Sequence, residues 1–446
     1  MGGLRLPDRF DRERQGGRRE RLRGRQGRRA LPPRAPGGGL TAPGQRPARN
    51  RPGWLNRNVV GIGIADLAAD ANYEMVFAVL PLFITAGLGA PALAVGLVEG
   101  IGDGSSAIVK LWSGWYSDRI AWRKRLAVGG YGATVFGLGL LVAVTSWPQI
   151  IVARTLAWMG RGLRQPIRSA MLAGSVGNQD LGKAFGFHEA LDTGGALVGP
   201  AVAFLLLSTG SEFRTIFWVA LIPGVLCAVL FALVTRDPRR NRPEPVSLRV
   251  PLPPGFWRLM APVAIFGAGN FATAFFTLRA VQLVQPELSR SAALAAAVGF
   301  YLAHNAVGAA VSFPAGWLAD KVGKSPVLAA AYAAFAVACV VGIVGHGWFA
   351  LALLALLVGA QNPVVTAVEG SLTSSLVEER RLGAAFGFLN GINGAADLAS
   401  SVTAGMLWTF VSPVAALGLG AVLCAIAALV LWFAPPGDER GVRALA

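Results

Sequence analysis

From Asn58 to Ala434 long apolar runs alternate with short polar connections, many of them basic. A helix that crosses a bilayer needs roughly 20 apolar residues. The runs predict twelve spans, at 58 to 86, 91 to 113, 126 to 146, 148 to 176, 182 to 209, 213 to 235, 257 to 284, 291 to 315, 326 to 345, 348 to 377, 382 to 410 and 413 to 434. All are too long for barrel strands, and hydrocarbon offers a helix backbone no partner but itself. The expected fold class is an all-α integral membrane protein, with a tail at 1–57, six helices at 58–235, a linker at 236–256, six more at 257–434 and a second tail at 435–446.

Composition agrees: 54% of the 446 residues are hydrophobic, 15% are charged, and the mean hydropathy is +0.52. The formal charge of +17 is concentrated in residues 1–57, where sixteen Arg against four acids give +12. That Arg, Gly and Pro rich segment lacks an apolar stretch, so it reads as a disordered cytoplasmic tail, with attraction to anionic headgroups the alternative and no nucleic-acid partner expected. Basic turns after spans 2, 6 and 8 place both termini in the cytoplasm. Cys227, Cys339 and Cys424 fall inside spans and read as packing residues. No phosphate-binding glycine loop and no cluster of metal ligands is present in the sequence, so an enzyme, a cofactor and a metal are not expected.

"AFGFHEALDTGGALVGP" from Ala184 is echoed by "AFGFLNGINGAADLASS" from Ala385, an offset of 201, and "GWYSD" from Gly114 by "GWLAD" from Gly316, an offset of 202. Six crossings return the chain to its starting side, so the halves are parallel repeats. "GWYSDRIAWRKR" and "GWLADKVGK" resemble the paired signature loops of the major facilitator superfamily. "ANYEMVFAVLPLF" and "GRGLRQPIRSAML" are similar to a bacterial group of permeases and exporters within it. Arg168 is followed here by Ser169, and Glu189 stands where that group usually has a basic residue. The resemblance implies the superfamily fold of two pseudo-symmetric six-helix bundles. It also implies loops that latch the halves, with Gly114, Asp118, Arg119, Arg123, Gly316, Asp320 and Lys321 as gating residues and the two aspartates accepting from neighbouring helix N-termini.

Asp66, Asp70 and Glu74 step by four along span 1, which keeps them on one helical face. Glu99 and Asp103 repeat the step on span 2, and Asp192 lies on span 5 with His188 and Glu189. Span 4 answers with Arg154, Arg161, Arg164 and Arg168. Each charge at mid-depth costs at least roughly 2.5 kcal/mol, so these groups are expected to line a cavity or face one another. Buried pairs also fix helix register, so a structural network and a proton-carrying one both fit. The acids outnumber the arginines around the site, and Asp66, Asp70, Glu74, Glu99, Asp103 and Asp192 are the proton-coupling candidates.

The second half has fewer such groups: His304 and Asn305, then Asn390, Asn393 and Asp397, with Arg279 and Glu369 toward span ends. His188, His304, Asn305, Asn390, Asn393 and Asp397 are the candidate substrate-cavity residues, and Asn393 aligns with Asp192. "GALVGP", carrying Gly195, Gly199 and Pro200, resembles an antiporter signature, although Ala203 and Phe204 replace its further glycine pair. The resemblance implies a monomeric secondary transporter of the inner membrane that exchanges protons for a small organic molecule. Import by symport and a receptor on the same scaffold are the alternatives.

Overall fold

The structure, a computed structural model, describes residues 53–117, 122–177, 180–237, 252–285, 287–378 and 381–436. They form α1 (Arg57–Leu82) with a π-helical extension (Phe83–Gly87), α2 (Ala92–Ser117), α3 (Arg123–Leu140), α4 (Trp147–Ala173), α5 (Leu181–Ser208) and α6 (Phe213–Val234). The second half contains α7 (Pro254–Gly269), α8 (Ala274–Val284), α9 (Arg290–Val322), α10 (Lys324–Val344), α11 (Gly347–Leu376), α12 (Leu382–Phe410) and α13 (Pro413–Phe433). No strand occurs among the described residues.

Local sequence sets the helix ends. The Asn56 side chain accepts from the amides of Asn58 and Val59 and opens α1, Ser146 and Gln149 form a capping box for α4, and Ser412 with Pro413 starts α13. Gly323 at φ 105° turns α9 into α10, a left-handed conformation that a side chain would resist. The seventh predicted span is two helices, α7 and α8, bent by 42° around residues 270–273. Ser400 donates to the Asn270 carbonyl at 3.1 Å and the Ala272 amide donates to Ser401 at 3.2 Å, so α12 satisfies backbone groups freed by the break.

Eight helices are each long and apolar enough to cross a membrane, nine when α7 and α8 count as one span. The expected count of twelve is therefore only partly matched on this test among the described residues. The exceptions are α3, which opens on Arg123, Lys124 and Arg125, α4 with its four arginines, and α12, whose apolar run is interrupted by Asn390, Asn393 and Asp397.

In the first half α1 packs against α5 and α6, α2 against α4, and α3 against α4. In the second α10 packs against α11 and α13, and α9 against α11. The halves meet where α2 lies against α12 and α5 against α9. Arg57 donates to the Val234 carbonyl, Asn56 to that of Ser175, and the Lys124 amide to Asp237, which gathers the α1, α3, α4 and α6 termini at one tail end. Lipid supplies no hydrophobic drive between helices, so close packing and hydrogen bonds must hold them. A Cβ on Gly199 would stand 2.8 Å from the Met75 amide nitrogen, and one on Gly195 2.8 Å from the Asp70 Cβ, so both glycines of the antiporter-like motif serve the approach of α5 to α1. Pro200 lies buried inside α5.

The gating residues differ from expectation. Gly114 lies within α2, and Gly316, Asp320 and Lys321 lie within α9, not in loops. At headgroup level nothing forces a helix to end with its apolar run, and Lys321 sits 3.8 Å over the Trp317 ring. Asp320 is exposed and accepts no hydrogen bond among the described residues, so the expected helix-end contact is not formed there. Arg123 opens α3. Asp118 and Arg119 lie outside the described residues, as do most of both tails and of the linker.

Candidate functional site

The acidic stripe of α1 enters three different environments. Asp66, wholly buried, is held by four neighbours: Arg168 at 2.8 Å, Arg164 at 3.5 Å, the Tyr131 hydroxyl at 2.6 Å and the His188 Nε2 at 2.8 Å. Arg164 also lies 4.3 Å over the Tyr131 ring. Asp66, His188 and Asp192 offer ligand atoms within 4.8 Å of one another, but two arginines already supply the positive charge there. One turn on, Asp70 is buried with Asp192 and Arg161 as its charged neighbours, and Arg168 reaches Asp192 at 3.7 Å. A further turn on, Glu74 leaves this half. It accepts from the Tyr301 hydroxyl at 2.8 Å and the Asn305 Nδ2 at 3.2 Å, both on α9, while Asn305 also donates to the Ala196 carbonyl of α5 at 3.0 Å.

Between α2 and α4 the pairing is equally direct. Arg154 donates to Glu99, both buried, and its guanidinium lies in the corner between two rings, 3.8 Å from that of Phe77 and 3.2 Å from that of Trp158. The Trp158 Nε1 donates to Asp103 at 2.7 Å, and Arg161 donates to the Tyr73 hydroxyl at 2.9 Å. Aromatic faces and a hydroxyl thus supplement the acids around Arg154, Arg161 and Arg164.

Among the described residues, two cavities between the halves have a mainly polar lining. The larger, about 460 Å³, is lined from α2, α4 and α12 in their tail-end portions, with Lys110, Leu111 and Asn390 exposed at its rim. The smaller, about 220 Å³, is lined by the α7–α8 break together with Phe77, Tyr301, Phe335 and Gln361. Both are lined by Asp103 of the first half and Asp397 of the second. At the end away from the tail the halves are bonded, by Arg290 to the Ala86 carbonyl at 2.9 Å and by the Leu93 amide to Thr409 at 2.8 Å. The polar cavities thus lie between two repeated halves that are bonded to each other at the end away from the tail.

Comparison with known proteins agrees with that architecture. The sequence profile of the Major Facilitator Superfamily matches residues 62–303 and 284–445. The chain belongs to this superfamily. An uncharacterized MFS-type transporter of Methanocaldococcus jannaschii is 30% identical over 387 residues, covering 85% of this chain and 95% of that protein. An uncharacterized protein of Mycobacterium tuberculosis is 28% identical over 393 residues, 85% of this chain and 92% of the other. The crystal structure of the nucleoside transporter NupG superposes with a TM-score of 0.70 at 12% identity, covering 84% of this chain and 98% of that one, a likeness of fold. The protein is a multi-pass membrane transporter for a small molecule, not an enzyme.

Within this MFS transporter the residues expected at the site separate into two groups. Asp103, Arg161, Arg168, Asn390, Asn393 and Asp397 line the larger cavity, and Glu99 the smaller. Asp66, Asp70, Glu74, Asp192, Arg154 and Arg164 line neither, nor do His188, bonded to Asp66, and Asn305, bonded to Glu74. His304 packs against Tyr301, with its Nδ1 at 3.3 Å from the Tyr301 carbonyl. Glu189 is exposed. Sequence reading missed Lys110 and the aromatic partners Tyr73, Tyr131, Trp158 and Tyr301, which carry no charge pattern to betray them. It also set Glu369 aside as near a span end, whereas it is buried inside the second bundle.

Proposed function

We propose that this transporter couples the movement of a small organic molecule to protons, as an antiporter that exports its substrate from the cytoplasm by alternating access. The observation that carries the reading is the grip of α9 on Glu74. Hydrogen bonds to an ionised carboxylate are roughly twice as strong as those to a neutral acceptor. A proton arriving at Glu74 weakens the bonds from Tyr301 and Asn305, which join the two halves. Proton binding and the rocking of one half on the other are thereby linked. Asp70 and Asp192, two acids sharing Arg161 and Arg168, are the adjoining proton sites.

The basic tail and connections support an inner-membrane orientation with both termini in the cytoplasm, and the bonded end then faces outward. The chain works as a monomer in this scheme, each half supplying one wall of the cavities. The export direction leans on the Gly195, Gly199 and Pro200 motif.

Proteoliposomes with an imposed pH gradient test the proposal, using a compound found by screening growth of a deletion strain. Substrate and proton moving in opposite directions support it. Co-directional movement replaces antiport by symport, and binding without flux makes the protein a receptor.

A further inference from the structure

The repeat extends into the buried charges. Tyr131 and Tyr332, Asp192 and Asn393, and Arg168 and Glu369 are each separated by 201 positions, the same offset as the repeated motif. The structure brings the second set together as it does the first. Tyr131 and Arg168 both reach Asp66, and Arg168 approaches Asp192. In the other bundle Tyr332 of α10 donates to Glu369 at 2.7 Å and Asn393 of α12 donates at 3.1 Å. Where α1 offers Asp66, α7 offers Phe266, which stacks on Tyr332 with ring centroids 3.9 Å apart.

The second bundle therefore keeps the geometry of the first and replaces its carboxylate and guanidinium pair by a carboxyl with neutral donors. Glu369 is 3% exposed. No cation lies within ion-pairing distance of it among the described residues. The other ionisable groups on neighbouring helices are engaged elsewhere or share its sign. Lys324 of α10 donates to the Ser371 carbonyl at 3.0 Å, His304 of α9 lies against the Tyr301 carbonyl, and Arg279 of α8 donates to the Gly342 carbonyl at 2.6 Å. Asp397 lies one turn beyond Asn393 on α12. A buried carboxylate without a counter-ion is costly, and taking up one proton removes the charge.

We propose that Glu369 is a second proton-carrying residue of the transporter, reached from the larger cavity past Asn393, which forms part of that cavity's wall. The inference rests on the proton-coupled reading above. A hydronium ion in the cavity gives its proton to Oε2, leaving water, and the bond from Asn393 is released. Tyr332 continues to donate to Oε1, and loss of the proton restores the Asn393 bond. Each half then contains its own proton site, the first in a field of arginines and the second without one.

Infrared difference spectroscopy of the full chain in lipid nanodiscs, titrated with pH alone, tests this without a substrate. The wild type should show a protonated-carboxyl C=O band that disappears as pH rises. Glu369→Gln should remove one component of it. Tyr332→Phe should displace the midpoint of that component by about one pH unit, the scale of one hydrogen bond to a charged group. An unchanged band in Glu369→Gln overturns the proposal; should that variant fail to fold, an unmoved midpoint in Tyr332→Phe does so. Gradient-driven flux by the wild type is a separate measurement, so loss of this site and loss of proton coupling are told apart.

Discussion

The Glu74 carboxylate of α1 and the Tyr301 hydroxyl of α9 meet at 2.8 Å across the boundary between the two halves. Asn305 adds a second bond to the same carboxylate at 3.2 Å. Each is worth about 1.5–3 kcal/mol while the acceptor is charged, enough to shift a two-state equilibrium about tenfold or more. Glu74→Gln removes the charge and keeps the shape. With spin labels at Leu88→Cys and Ser291→Cys, on the bonded end of the molecule, the population at long distance should rise about tenfold in this variant. An unchanged distance distribution would separate Glu74 from the motion of the halves.

Asp66 and Asp70 lie one turn apart and should fail in different ways. Asp66 balances Arg164 and Arg168, so Asp66→Asn leaves buried positive charge uncompensated, at a cost of about 3–5 kcal/mol. Its folded yield and thermal midpoint in detergent should fall sharply. Asp70 has Asp192 beside it, and removing one of two like charges relieves repulsion. Asp70→Asn should keep near-wild-type stability while gradient-driven accumulation is lost. Equal thermal losses in the two variants would mean that both acids are structural.

The apolar runs alone carried the helical architecture, and the offset of 201 carried its duplication, because both rest on patterns many residues long. Charge spacing placed Asp66, Glu99, Arg154 and Arg168 on facing helices, and the structure pairs them. Spacing could not assign depth around each helix axis, so Glu74 looked like another member of a cavity stripe until α9 was seen to hold it. Nor could it reveal the α7–α8 break, where bonds from α12 replace those lost within the helix. Glu369 escaped because its partners, Tyr332 and Asn393, are neutral and distant in sequence.

Gly199 tests whether the α1–α5 approach sets the fold. An added Cβ meets the Met75 amide nitrogen at 2.8 Å, backbone against which no rotamer can yield. Gly199→Val should therefore greatly reduce the yield of monodisperse protein. Gly186 of the same helix has nothing within 4 Å, and Gly186→Ala should be silent. Equal yields from both variants would show that α5 can shift away from α1 without penalty.

Access to the larger cavity tests the proposed orientation. Gln165 lines it, and the native Cys227, Cys339 and Cys424 are all buried, so the wild type should react slowly with a membrane-impermeant maleimide. Gln165→Cys should be labelled at least about tenfold faster in inside-out than in right-side-out vesicles, since the bonds from Arg290 to Ala86 and from Leu93 to Thr409 close the opposite end. Adding Glu74→Gln weakens that closure and should raise labelling from the outside while lowering it from the inside. Faster labelling of the single variant from outside would invert the assignment of the termini, and with it the direction in which the cavity delivers its cargo.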